Sequence, residues 1–167
     1  MKVLFTYRNG KDLNIADLGF GSSQIIPILL RIAINAYKNF EPASGDYKPS
    51  IICIEEPEAN LHPALQSKLA DLFIDAADKF NIQFILETHS EYLIRKMQYW
   101  VAKKIIEPGA AAIYYFYDPQ NIPEGEKQIK RINIREDGML EDDFGEGFYD
   151  EATRLTFELL KIQNLNQ

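Results

Sequence analysis

Four apolar residues, Ile51-Ile52-Cys53-Ile54, run directly into Glu55-Glu56-Pro57, and no other stretch limits the fold of this chain so tightly. A continuous apolar run of that length fits a strand buried on both faces, as in a parallel sheet. Pro57 stops the strand because it has no N–H for the ladder, and Pro63 stands where the first turn of a helix tolerates it. Residues 51–63 therefore read as strand, acidic tip, short loop and helix start. In open α/β sheets ligands bind outside the C-terminal ends of the strands. Two carboxylates there suit a hydrated Mg²⁺ and an attacking water, and they tolerate each other when a cation lies between them or their side chains diverge. One carboxylate would be an ordinary polar tip; the tandem pair is what singles out Glu55 and Glu56.

The rest of the chain alternates in type. Residues 2–6 and 12–15 flank Asn9-Gly10, a hairpin turn signal, so a short N-terminal hairpin is expected. Asp17-Leu18-Gly19-Phe20-Gly21-Ser22-Ser23-Gln24 leads into a buried helix over 25–40 with Pro27 in its first turn, and 41–50 reads as a surface loop. Residues 63–80 carry Leu65, Leu69, Leu72, Phe73, Ala76 and Phe80 at helical spacing, with Asp71, Asp75 and Asp78 on the wet side. A second buried strand over 82–86 ends in Glu87-Thr88-His89-Ser90, and Ser90 suits the N-cap of a helix reaching about 106 with Leu93, Met97, Val101 and Ile105 as its core stripe. Strands over 110–117 and 128–135 follow, separated by a loop at 119–127. Asp137-Gly138 is a turn, and a last helix spans 148–162 with Leu155, Leu159 and Leu160 inside. This order argues for one α/β domain of 167 residues whose mainly parallel sheet is flanked by helices.

Composition removes several classes of function. A net charge of −7 is unsuited to a generally sticky nucleic-acid or membrane surface, and no apolar run is long enough to span a bilayer. The one cysteine, Cys53, allows no intrachain disulfide, and a reducing, cytoplasmic setting is the simple expectation. Arg95, Lys96, Lys103 and Lys104 form the one local basic surface, most simply a solvated face.

Two further groups could carry chemistry. The chain's two histidines, His62 and His89, both fall at strand-tip loops on what should be one edge of the sheet, although no third His or Cys has zinc-ligand spacing. The glycines of Gly19-Phe20-Gly21-Ser22-Ser23-Gln24 precede a helix whose free N–H groups would attract phosphate. Alone, that is a weak signal.

In this order the three elements resemble the C-terminal half of an ABC-type ATPase head, within the SMC- and RecF-like branch that includes overcoming-lysogenization-defect-type proteins. The resemblance runs from about residue 12 to 96 and rests most on Glu-Pro-Glu-Ala-Asn-Leu-His-Pro and Glu-Thr-His-Ser. It implies a P-loop NTPase-like fold, with residues 18–24 as the signature motif, 51–56 as Walker B, Ala59-Asn60-Leu61-His62 as the D-loop and Thr88-His89-Ser90 as the switch region. Carried over, Glu55 would hold Mg²⁺ through water, Glu56 would polarise the attacking water, and His89 would contact the γ-phosphate of ATP. Gly19, Gly21, Ser22, Ser23 and Gln24 would meet ATP held by the opposing subunit of a head-to-tail homodimer, with Asn60 and His62 across that interface. Glu55 stands where the superfamily usually has Asp, and serines stand where the signature usually has paired glycines. The tail, 143–151, resembles the end of some of these proteins. DNA enters as a partner by analogy only.

No Gly-x-x-x-x-Gly-Lys-[Ser/Thr] run occurs among the residues, so nothing here would cradle the β- and γ-phosphates in cis. The chain is expected to be a truncated head that needs a P-loop-bearing N-terminal lobe and hydrolyses ATP negligibly alone. Two other readings stay open: a non-catalytic dimerisation or interaction domain retaining the ATPase fold, and a metal-dependent nuclease or phosphatase using Glu55, Glu56 and His89.

Overall fold

In the computed structural model, Leu4–Thr6, Asp12–Asn14, 20–145 and 147–165 are described. They belong to two compact units, residues 1–96 and 97–167, with the boundary inside a helix.

In the first unit, β1 (Leu4–Thr6) pairs antiparallel with β2 (Asp12–Asn14); the Asn9-Gly10 turn expected between them lies outside the described residues. Helix α1 spans Phe20–Asn39, so Pro27 lies in its interior and not in its first turn. Gly21-Ser22-Ser23 are weak helix formers, which is why their residue types suggest a loop. The backbone at Gly21 fits closely against the 60–61 segment, and that tertiary fit accompanies the longer helix. Ile28, Ile32 and Ala36, spaced by four, are buried, while Leu29, Leu30, Ile34 and Tyr37 are exposed, so α1 is covered on one side only.

The 41–50 stretch is not wholly loop. Strands β3 (Phe40–Glu41) and β4 (Asp46–Tyr47) form a small antiparallel ribbon, and Tyr47 packs between Phe40 and Phe80 with ring centroids 5.3 and 5.2 Å away. Strand β5 (Ser50–Glu55) follows, then α2 (Pro63–Phe80) and β6 (Ile82–Glu87). Strands β5 and β6 are parallel, in register from Ser50 opposite Ile82 to Glu55 opposite Glu87. Helix α2 crosses between them and buries Leu69, Ala70, Phe73 and Ala76; Phe73 meets Phe84 of β6 at 4.9 Å. Leu65, placed in its core stripe by periodicity, is exposed.

The expectation that β5 is buried on both faces is corrected. Ile52 is 2% exposed, but its neighbour Ile51 is 57% exposed and Cys53 is also exposed. On β6, Ile85 is likewise exposed. Alternate residues of a strand face opposite sides, and among the described residues only the side of Ile52 and Phe84 is well covered.

Helix α3 (Glu91–Ala102) carries the unit boundary and stops four residues short of 106. Lys104 adopts φ 57, with Lys104 N–H bonded to the Val101 carbonyl and Ile105 N–H to the Trp100 carbonyl. This is a Schellman ending with lysine in the left-handed place glycine usually takes. Ile105 is therefore off the stripe and exposed, while Leu93 and Val101 are buried as expected.

In the second unit β7 (Ile113–Phe116) pairs antiparallel with β8 (Ile129–Ile132). A parallel return needs a crossover, usually a helix, and the connecting loop contains none. The expected mainly parallel sheet is thus corrected: the described strands make four two-stranded sheets, of which β5–β6 alone is parallel. Ile132 and Ile134 are buried. Asp137-Gly138 does turn the chain: Gly138 N–H bonds the Arg135 carbonyl, and Gln98 Nε2 donates to the Gly138 carbonyl at 2.8 Å. Helix α4 spans Glu151–Leu165, but Leu155, Leu159 and Leu160, expected inside, are exposed.

Candidate functional site

The parallel pair brings its two acidic tips side by side. Glu55 stands opposite Glu87, and the ladder continues one step further, with Glu56 N–H donating to the Glu87 carbonyl at 2.9 Å. There the chain turns sharply: Glu56 has φ 44, a left-handed conformation uncommon outside glycine and often found at functional sites. The side chains of Glu55, Glu56 and His89 are exposed at this edge.

Below them the loops are stitched together. Ala59 N–H bonds the Glu56 carbonyl at 3.0 Å and Leu61 N–H bonds the Glu58 carbonyl at 3.0 Å, while Asn60 takes φ 60. Buried Glu58 accepts the His89 N–H at 2.7 Å through Oε1. Ser90 caps α3 as expected: its Oγ accepts from Leu93 N–H at 3.2 Å and donates to Gln66 Oε1 at 2.6 Å. Gln66 Nε2 then donates to the Leu61 carbonyl at 3.0 Å. The 56–61 loop, the start of α2 and the 88–90 loop thereby form one hydrogen-bonded edge.

Gly21 joins the same edge. A methyl group at that position would stand 3.1 Å from Leu61 Cδ2 and 3.4 Å from the Asn60 carbonyl oxygen. Gln24 lines a shallow groove of about 240 Å³ with Pro27, Ile28, Arg31 and Ile54. Ser23 is exposed, Ser22 is described by its backbone only, and Gly19 lies outside the described residues. His62 serves the backbone: as N-cap of α2 its Nδ1 accepts the Ala64 N–H at 3.3 Å, ahead of Pro63 at the first helical position.

Residues 2–94, more than half of the chain, match the family described as the AAA ATPase domain. The chain belongs to that family. Residues 106–159 match a second family, described as a protein of unknown function (DUF3696). No curated protein and no solved structure is similar enough to add to these matches.

Membership in the AAA ATPase domain family supports an ATPase-type function, with nucleotide as ligand and Mg²⁺ as its usual companion. Among the described residues no three His, Cys, Asp or Glu side chains gather into a metal-holding group. Mg²⁺ keeps several of its waters and is commonly held through one or two carboxylates plus phosphate, and exposed Glu55 can meet that need. No helix among the described residues of this AAA ATPase domain chain is long and apolar enough to cross a membrane.

Glu58, buried at this edge and bonded to the His89 amide, is the residue that sequence patterning missed. Motif reading stops at the tandem pair, and burial of the third carboxylate is a tertiary fact.

Much of the basic surface is already engaged. Arg95 pairs with Glu91, Lys96 with Asp71 at 3.4 Å, and Lys103 Nζ lies 4.8 Å from the Tyr99 ring centre. In the second unit the 143–151 tail packs by its rings: Phe144 stacks on Tyr149 at 4.9 Å and meets Tyr115 edge-on at 5.5 Å. Glu146 lies outside the described residues.

Proposed function

We propose that the first unit is the signature and Walker B half of a MgATP-hydrolysing site, completed by a P-loop supplied from outside these 167 residues. The observation that carries this reading is the shared edge of β5 and β6, where Glu55 at the end of β5 and Glu56 and His89 on the loops that follow are exposed, the two strand ends tied by the Glu56–Glu87 backbone bond. Bound MgATP would supply the transferable phosphoryl group and most of the charge. Glu55 would hold the ion's water shell, and Glu56 would orient and polarise the attacking water. His89 would donate to the terminal phosphate. Such chemistry is positioning and charge stabilisation, which needs no covalent intermediate on the protein. Gly21, Ser22, Ser23 and Gln24, with Gly19 before them, would face ATP held by the opposing subunit of a head-to-tail dimer. The close fit of Gly21 against Asn60 supports a signature motif and D-loop that act from one edge.

The chain alone is expected to hydrolyse ATP negligibly, and hydrolysis should appear when a separately expressed P-loop lobe is added. Glu56→Gln in the reconstituted protein should lower kcat by about 10²-fold or more. Multiple-turnover hydrolysis by the chain alone, abolished by Glu56→Gln, would sink the half-site reading.

A second reading rests on α1. Its exposed Leu29, Leu30, Ile34 and Tyr37 suit a non-catalytic domain that docks or dimerises through the signature helix. Failure of any P-loop lobe to restore hydrolysis, together with loss of self-association on Leu30→Glu, would favour it.

A further inference from the structure

Glu58 is an unusual carboxylate. It is 8% exposed, and Oε2 is buried with no hydrogen-bond partner among the described residues. The other oxygen accepts the His89 N–H at 2.7 Å. Burying a carboxylate is unfavourable unless both oxygens are satisfied, so fold stability alone does not account for an acid here. An apolar residue of similar length would fill the space without an orphaned oxygen. What an apolar residue would not do is hold the His89 amide. This bond is short and reaches across 31 residues of sequence.

The surroundings limit where Glu58 can move. Pro57 is fully buried beside it, and the Glu58 carbonyl accepts Leu61 N–H within the loop. On the far side, Ser90 is fixed by Gln66 and by the start of α3, and Thr88 Oγ1 accepts Ser90 N–H at 3.0 Å. The His89 backbone is thus held from both flanks, and Glu58 bonds the amide of His89 itself.

We propose that Glu58 is a positioning residue. Its buried carboxylate, through the His89 amide, fixes where the His89 side chain stands relative to Glu55 and Glu56. The functional part of this inference rests on the half-site reading above; the structural part does not.

The test starts with the full 167-residue chain and amide hydrogen exchange read by NMR. Glu58→Leu should speed exchange at the His89 amide by about tenfold or more and shift the His89 imidazole resonances, while the amides of β5 and β6 keep their protection. Glu58→Gln keeps a carbonyl acceptor and should restore most of that protection. A residue that merely fills space would give the opposite order. Unchanged exchange at His89 in Glu58→Leu would overturn the proposal. So would loss of protection throughout β5 and β6 in both variants, which would assign Glu58 to the fold and not to the loop.

The second arm uses the protein reconstituted with a P-loop lobe. Glu58→Leu should lower kcat about tenfold with KM for ATP little changed, and should add nothing to His89→Ala, because one residue acts through the other. Full additivity of the two would overturn the proposal. If the parent protein shows no hydrolysis while the NMR effects appear as expected, the ATPase reading fails and the positioning of His89 by Glu58 stands.

Discussion

Gly138 shows what a single residue can decide. It has φ +82, and a methyl group there would stand 2.6 Å from the Gln98 carbonyl oxygen and 2.8 Å from Ala102 Cβ. Both the backbone conformation and the space require glycine. Gly138→Ala is expected to destabilise the second unit by about 2–3 kcal/mol, from left-handed strain plus overpacking. Trp100, the one tryptophan of the chain, lies in that unit, so urea denaturation followed by its fluorescence reads the loss directly. The Asp137-Gly138 turn was legible because its residue types carry their own conformational preference. Glu58 was not: whether a carboxylate is buried depends on elements 31 positions away, and nothing in the Glu-Pro-Glu spacing encodes that. His62 lies between these cases. A histidine before a helix-starting proline can be a cap or a site residue, and only the Ala64 N–H, aimed at its Nδ1, shows the cap.

At the scale of elements, α2 was legible to its ends because periodicity and Pro63 agree, and the structure adds a left-handed Asn81 that closes it. Strand β5 was legible as a strand but not as a one-sided one. An apolar run states that its residues favour burial; it does not state what covers them. The difference has a simple chemical readout. Cys53, expected inside the sheet, is exposed on the same side as Ile51 and Ile85. The native chain should therefore react with a thiol reagent such as dithionitrobenzoate to one equivalent, at a rate within about tenfold of the unfolded chain. Slow, denaturant-dependent reaction would place Cys53 back inside a covered sheet. The same reasoning explains β7 and β8. Apolar content suggested strands of one parallel sheet, whereas the helix-free connection between them dictated an antiparallel pair.

At the scale of the whole molecule, the described ion pairs of the second unit bear on its response to acid. In the second unit Lys130 Nζ lies 2.8 Å from Asp142 Oδ2. The Asp142 carboxyl is held below the usual aspartate range, first by the hydrogen bond from Lys130 and then by the Asp143 N–H. Asp137 is lowered in the same direction, chiefly by Arg135. A carboxyl whose pKa is depressed by folding contributes stability that is present above the unfolded value, about 4, and is lost as pH falls through the folded value. The urea midpoint read by Trp100 should be nearly flat from about pH 7 to 5 and should fall below about pH 4. Lys130→Met should flatten part of that fall; an unchanged acid slope would remove the pair from the account. Such pairs were not legible in the sequence, which supplies the charges while tertiary structure supplies the partners.

Gln66 uses both ends of one amide, its carbonyl oxygen taking the Ser90 hydroxyl and its NH₂ reaching the Leu61 carbonyl. Glutamate would set a lone pair against that carbonyl, lysine would offer the hydroxyl no acceptor, and asparagine falls one methylene short. Glutamine meets both demands at that reach with one planar amide. A saturation library at this codon, sorted for protease resistance of the first unit, is expected to return glutamine well above every alternative. A half-buried side chain given no role in the chemistry would then prove as hard to replace, under selection, as the acids at the tip of the strand.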